Sequence, residues 1–144
     1  MENNRVVIDT NVLISAIIGK YNYPYKIFEE FILTGDFIIC LSNELLKEYN
    51  EVTQREKFRK IEGFSTRAIK LIQQIVTIAT FVELKEIITV IKDEPDNRLL
   101  ELAVTAEARA IVTGNIKHFN FAEFRGIKIQ TPKEFYEEFS FNAL

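Results

Sequence analysis

The sequence predicts an α/β protein, three layers in α/β/α order around a mainly parallel sheet of about five strands. Short apolar runs rich in β-branched residues alternate with amphipathic segments, the pattern of strands joined by crossover helices. The first run, Val6-Val7-Ile8, is continuous rather than alternating, as suits a strand covered on both faces of a parallel sheet. The polar triplet Asp9-Thr10-Asn11 then breaks the run before Val12-Leu13-Ile14 resumes it. It stands at the strand's carboxyl end, the rim where open α/β sheets bind ligands. A carboxylate there either caps the next helix or belongs to a site.

Each further element follows from local pattern. Val12 to Ile18 reads as a short helix ended by Gly19, and Tyr21 to Pro24 as a turn whose proline opens the next helix. Tyr25 to Leu33 places Ile27, Phe28, Phe31 and Ile32 at helical spacing, and Thr34-Gly35-Asp36 stops it. Phe37 to Leu41 is a second buried strand, in which Cys40, the single cysteine, is expected as a small buried hydrophobe. Ser42 caps a helix over 43–52 that turns Leu45, Leu46, Tyr49 and Val52 inward. Arg55 to Ile61 and Phe64 to Thr77 form two more helices separated at Gly63, the second capped by Ser65 or Thr66. Short strands are expected at 81–84 and at 87–91. The polar turn 92–97 leads into a helix over 99–108, its proline and acids suited to a helix N-terminus. Ala110-Ile111-Val112 is a strand broken by Thr113-Gly114-Asn115, and Ile127-Lys128-Ile129 a last strand at the sheet's edge. Thr131-Pro132 opens the closing helix over 133–139.

The 144 residues suit one domain spanning 1–144, with neither repeat nor linker, large enough to bury roughly two-thirds of its unfolded surface. A lone cysteine excludes an internal disulfide. No apolar run approaches the ~18 residues of a membrane span, and the polar N-terminus leaves no room for a signal peptide, so a cytoplasmic protein without membrane partners is expected. The net charge of −3 argues against a general nucleic-acid-coating role. Its distribution is uneven, however. Between Thr53 and Lys70 lie Arg55, Lys57, Arg59, Lys60, Arg67 and Lys70 against Glu56 and Glu62, so this window is +4 and the rest of the chain −7. The window is either a solvated helical face or a surface for a phosphate backbone.

Several chemistries are excluded early. The single histidine, His118, has no serine elbow or reactive cysteine near it, and a surface or helix-cap role is expected. No dinucleotide fingerprint follows the first strand, and there is no P-loop. An aspartyl phosphatase needs a second acid two positions after Asp9, where Asn11 stands. What remains is acids at strand ends and helix starts. Asp9 follows one strand; Glu48 lies on a helix about 9 Å beyond its cap at ~1.5 Å per residue. Asp96, with Asp93 nearby, opens another helix, and Thr113 and Asn115 follow a further strand. Each acid taken alone has a structural explanation. Converging on one rim they would repel one another unless a divalent cation neutralised them, and oxygen-only ligands suit Mg²⁺ or Mn²⁺ and phosphodiester chemistry.

Five blocks occur in a telling order: 6–13 around Asp9; Ser42-x-x-Leu45-Leu46-x-Glu48-Tyr49; Asp93-x-x-Asp96-Asn97 with Leu100-Glu101-Leu102-Ala103; Ile111-Val112-Thr113-Gly114-Asn115; and Thr131-Pro132-x-x-Phe135. Together they resemble a PIN-domain protein over nearly the whole chain, in the branch of toxin components of toxin–antitoxin systems related to VapC-like ribonucleases. The resemblance implies a five-stranded parallel sheet, an acidic pocket holding Mg²⁺ or Mn²⁺, endonucleolytic cleavage of RNA, and a cognate antitoxin protein that blocks the site. Carried over, Asp9, Glu48 and Asp96 would be the metal-binding acids, with Asp93 a substitute for the third. Thr113 matches the hydroxyl usual beside the pocket. Asn115 departs from the aspartate frequent after Thr-Gly, bringing an amide oxygen but no charge. Arg55, Lys57, Arg59 and Lys60 would hold the RNA backbone. A second reading is a catalytically weak PIN fold that binds RNA or a protein, which Asn115 and the negative charge favour. A homodimer is a further possible assembly.

Overall fold

The computed structural model describes residues 3–142. Its sheet has six strands: β1 (Arg5–Ile8), β2 (Ile38–Leu41), β3 (Thr80–Phe81), β4 (Ala110–Val112), β5 (Glu123–Phe124) and β6 (Ile127–Gln130). They lie in the order β3-β2-β1-β4-β6-β5, all pairs parallel except β5 with β6. The helices are α1 (Thr10–Ile18), α2 (Tyr23–Ile27), α3 (Asn43–Thr53), α4 (Glu56–Arg59), α5 (Phe64–Ile78), α6 (Glu94–Ala106) and α7 (Pro132–Asn142). This is the three-layer α/β/α arrangement expected, with a mostly parallel sheet. Among the described residues no helix is long and apolar enough to cross a membrane.

Connection handedness explains the layers. From β1 the chain moves to β2 on one side, and from β3 it returns past β1 to β4 on the other. Right-handed crossovers in opposite directions put their helices on opposite faces. Accordingly α6 packs on β1, β2 and β4, while α1, α2, α3 and α5 pack among themselves over the other face. The strand order therefore reverses between β1 and β4, and the crevice at their carboxyl ends is the topological switch point. Asp9 leaves β1 there and Thr113 leaves β4.

The core is aliphatic at the sheet, where Val6, Val7, Ile8, Ile39, Leu41, Ile111 and Val112 are inaccessible to solvent, as is Cys40. Phe31, Phe37, Phe135 and Phe139 form a cluster of edge-on and tilted rings that clamps α7 against the segment leading into β2. Burying such a ring contributes roughly 1.5–3 kcal/mol. Ser42 accepts from the Leu45 N–H and caps α3 as expected. Thr131 and Glu134 cap α7 reciprocally, each side chain accepting from the other's backbone N–H.

Several local expectations need correction. α6 begins at Glu94, inside the expected polar turn and five residues before the helix expected over 99–108, and β3 is only Thr80–Phe81 in place of the strand expected at 81–84. The helix over 25–33 changes pitch: after α2 the chain makes a π-helical turn, Phe28–Ile32. Neither Ser65 nor Thr66 caps α5; Gly63 does, at φ +74°, a left-handed conformation natural to glycine. The segment 87–91 is not a strand. Its Ile88 and Ile91 N–H groups donate to the side chains of Glu101 (2.8 Å) and Asn97 (2.9 Å), so α6 satisfies the backbone that a neighbouring strand otherwise would. Finally, β6 is not the edge. β5 folds back on it through Arg125 and Gly126, both at positive φ, the requirement of a two-residue hairpin turn.

Candidate metal centre

Asp9 is the N-terminal cap of α1, only 7% exposed. One carboxylate oxygen, Oδ1, accepts the Thr10 N–H at 2.8 Å. The other, Oδ2, accepts the Thr113 hydroxyl at 2.7 Å and the Asn11 amide at 3.2 Å. The capping and site roles of this residue are thus compatible. The Thr113 contact ties β1 to β4 across the switch point, between residues 104 apart in sequence. Asn11 strengthens the tie, because its Oδ1 accepts the Gly114 N–H at 3.0 Å. A Cβ on Gly114 would stand 3.3 Å from that oxygen, so a side chain there would crowd the bridge.

Glu48 reaches the same crevice from α3, where the Thr10 hydroxyl donates to its Oε2. The adjacent Tyr49 is fully buried and donates its hydroxyl to the Ile8 carbonyl at 2.5 Å, pinning α3 against the end of β1. A cavity of about 260 Å³ opens here, lined by Asp9, Glu44, Glu48, Glu94 and Arg98 among others. Asp96 sits in the first turn of α6, 5% exposed, with its Oδ2 3.2 Å from Nδ1 of His118.

The electrostatics follow from burial. Loss of water pushes the Asp9 carboxyl up to about 6; Glu48 and Asp96 add to the rise, and the Thr113 and Thr10 hydrogen bonds oppose it. Asp96 is raised too, by burial first and then by Asp93, with the His118 ring acting in the opposite direction. Asp9, Glu48 and Asp96 therefore feel one another. The donor set is anionic and oxygen-rich, and the one cation named in the lining, Arg98, pairs with Glu94 and Glu101 rather than with Asp9, Glu48 or Asp96, which fits a hard divalent ion such as Mg²⁺ or Mn²⁺.

The remaining predicted residues are placed as follows. Thr113 is fully buried, and its oxygen also accepts the Asn115 N–H at 3.0 Å. Asn115 is exposed and starts a short 3₁₀ turn, Ile116–His118, without a side-chain cap bond. Asp93 precedes α6, exposed and likewise capping nothing. Arg55, Lys57, Arg59 and Lys60 lie on and beside α4, exposed and outside the lining of the acidic cavity, with Lys60 paired to Glu56 at 3.7 Å.

His118 lies at the surface as expected, and it also has a polar partner in Asp96. The 3₁₀ turn after β4 swings it onto the start of α6, where Asp93, Asp96 and His118 bring one ligand atom each within 4.8 Å of one another. This trio could coordinate a divalent metal. It is the only such group among the described residues, and neither Asp9 nor Glu48 belongs to it. Asn11 was also invisible as a site residue. A sequence signal existed for both: each lies within three residues of a site position, Asp9 or Asn115.

Residues 5–117 match the PIN domain family. The chain belongs to the PIN-domain family. The chain is 31% identical, over 143 residues, to uncharacterized protein MJ1680 of Methanocaldococcus jannaschii, covering 94% of this chain and 91% of that protein. In three dimensions it resembles a chain in the crystal structure of VapBC2 from Rickettsia felis bound to a DNA fragment from their promoter. That likeness has a TM-score of 0.57 at 14% identity, covering 88% of this chain and 98% of that one. At this identity the likeness speaks to fold. The PIN domain thus shares its fold with a chain of the VapBC2 complex and carries a candidate metal cluster, Asp93, Asp96 and His118.

Proposed function

We propose that this PIN-domain protein is a metal-dependent endoribonuclease, the toxin of a toxin–antitoxin pair, which hydrolyses RNA phosphodiester bonds. One observation carries the reading: Asp9 is buried at the sheet's switch point with Glu48 and Asp96 near enough to raise its carboxyl. Anions are costly to gather in a buried crevice, and a site that does so gains by binding a cation.

Asp9, Glu48 and Asp96 would hold Mg²⁺ or Mn²⁺. When bound, such an ion supplies a water acidic enough to attack and polarises the scissile phosphate. The chain's own groups prepare for it. Above about pH 6 Asp9 is ionised and ready to ligate. Thr113, Asn11 and the Thr10 N–H fix its orientation, and the Thr10 hydroxyl aims Glu48 into the same crevice. The cations on α4 would track the RNA backbone beyond the cavity rather than within it. The fold shared with VapBC2 supports an antitoxin protein as partner. Asn115, neutral where an acid would add charge, favours the second reading, a catalytically weak module that binds RNA or protein.

The test is cleavage of a structured RNA panel with Mg²⁺ or Mn²⁺ by wild type and Asp9→Asn. Wild type should cleave and the variant fall to background; equal rates in both would remove the mechanism. Wild-type silence with tight RNA binding would favour the binding module.

A further inference from the structure

We infer that Asp93, Asp96 and His118 form a second divalent-cation position next to the Asp9 crevice, one that prefers Mn²⁺ to Mg²⁺ and offsets the charge missing at Asn115. This position rests on the metal-dependent reading above and extends it, with Asp96 shared between the two.

Three features of the structure support it. The ligand atoms of Asp93, Asp96 and His118 lie within 4.8 Å of one another, a spacing that modest side-chain movement closes around one ion. Next, the Asp96 side chain is only 7% exposed, yet among the described residues His118 is its one hydrogen-bond partner. Asp9, equally buried, accepts three hydrogen bonds. A buried carboxylate ordinarily fills its lone pairs, so Asp96 retains acceptor capacity, and its Oδ2 already lies 3.2 Å from the His118 ring within the cluster. Finally, Asp93 stands at the start of α6 without the capping bond its position invites, leaving its carboxylate free to ligate.

Chemistry then sets the selectivity. Mg²⁺ takes oxygen ligands and keeps its waters, whereas an imidazole nitrogen suits first-row transition ions, with Mn²⁺ the weakest of that series but still a readier nitrogen acceptor than Mg²⁺. His118 is 49% exposed in its side chain and follows Asn115 by three residues on one turn. The loop after β4 thus presents a neutral amide and, one turn on, an imidazole able to take the ligand place. The competing explanation is a simple structural contact between ring and carboxylate, which predicts no effect of His118 on metal uptake.

Mn²⁺ uptake by the untagged protein, followed through the electron paramagnetic resonance of the free ion, separates the two. Wild type should bind two Mn²⁺ per chain. His118→Ala and Asp93→Asn, both at exposed positions, should each weaken one site at least about tenfold. Asp9→Asn should retain the His118-dependent site, and excess Mg²⁺ should displace Mn²⁺ less readily from it than from His118→Ala. His118 is the only histidine, so its ring protons give resolved NMR signals that should shift on adding Zn²⁺ to Asp9→Asn. Unchanged Mn²⁺ stoichiometry and affinity in His118→Ala would overturn the inference. Two filled sites in a wild type that cleaves no RNA would instead overturn the nuclease reading and leave this site standing.

Discussion

Replacing Asp9 with asparagine should stabilise the metal-free protein at neutral pH. On folding, the Asp9 carboxyl rises from its ordinary 3.8 to about 6, chiefly because burial removes water from the charged form. At ~1.4 kcal/mol per pH unit, the ionised group costs the native state about 3 kcal/mol above pH 6. Because the folded state holds this proton more tightly than the unfolded chain, stability falls as pH rises from about 4 to about 6 and then levels. Asparagine removes the charge and keeps the shape. Its single oxygen can accept the Thr10 N–H, while the Thr113 hydroxyl and Asn11 amide must reorient, returning part of the gain. A net stabilisation of about 1–2 kcal/mol remains, or roughly 3–7 °C in Tm for a chain of this size. Calorimetric melts of both proteins in EDTA between pH 4 and 7.5 provide the assay. At pH 4, where the charge penalty has largely vanished, the variant should be the less stable by about 1 kcal/mol; the difference should change sign as pH rises and reach its full size above pH 6. Mn²⁺ should then reverse the order, since a ligand at 100 times its Kd stabilises by about 2.7 kcal/mol and the variant has lost a ligand. An Asp9→Asn protein no more stable than wild type at pH 7, with a difference constant across the titration, would refute the reasoning.

Other perturbations test neighbouring parts of the site. Tyr49→Phe leaves the Ile8 carbonyl without its buried hydroxyl partner and should cost about 1–2 kcal/mol in denaturant melts. Thr113→Val removes a hydrogen bond that favours the Asp9 anion. It should therefore raise the Asp9 carboxyl further, visible in carboxylate NMR titration, and weaken Mn²⁺ binding about tenfold. Gly114→Ala crowds the Asn11 oxygen and should lower Tm by a few degrees, an effect that Asn11→Ala in the same chain should largely relieve. Reversing Lys57 and Arg59 to glutamate should reduce RNA affinity at low salt at least about tenfold and flatten its salt dependence. Unchanged binding would place the RNA path elsewhere.

Much of the candidate site is readable because chemistry-bearing residues sit at transitions between periodic segments. Asp9 ends an apolar run, Asp96 opens an alanine-rich helix behind a proline, and Thr113 breaks a strand. Rim placement follows from those transitions alone. Glu48 is less direct, since its helix position reaches the rim only because Tyr49 docks α3 on the Ile8 carbonyl. His118 carries no such mark. It lies 22 residues from Asp96, on a three-residue turn whose direction depends on β4 and on the hairpin beyond it.

The division between sequence and structure follows the range of the forces involved. The sequence alone determined the α/β class, the buried first strand, the caps at Ser42 and Thr131, and the carboxylates at element ends. These depend on hydrophobic period, turn chemistry and capping, which act over a few residues. Tertiary structure decided that β4 lies on the opposite side of β1 from β2, making their junction a crevice. It turned the apolar segment 87–91 from a strand into a strap held by Glu101 and Asn97. It also set His118 against Asp96, and Thr113 against Asp9. Each of these outcomes joins groups from different elements, some more than a hundred residues apart. Local preference has no reach at that distance; only the packing of the finished sheet and its helices selects the partner.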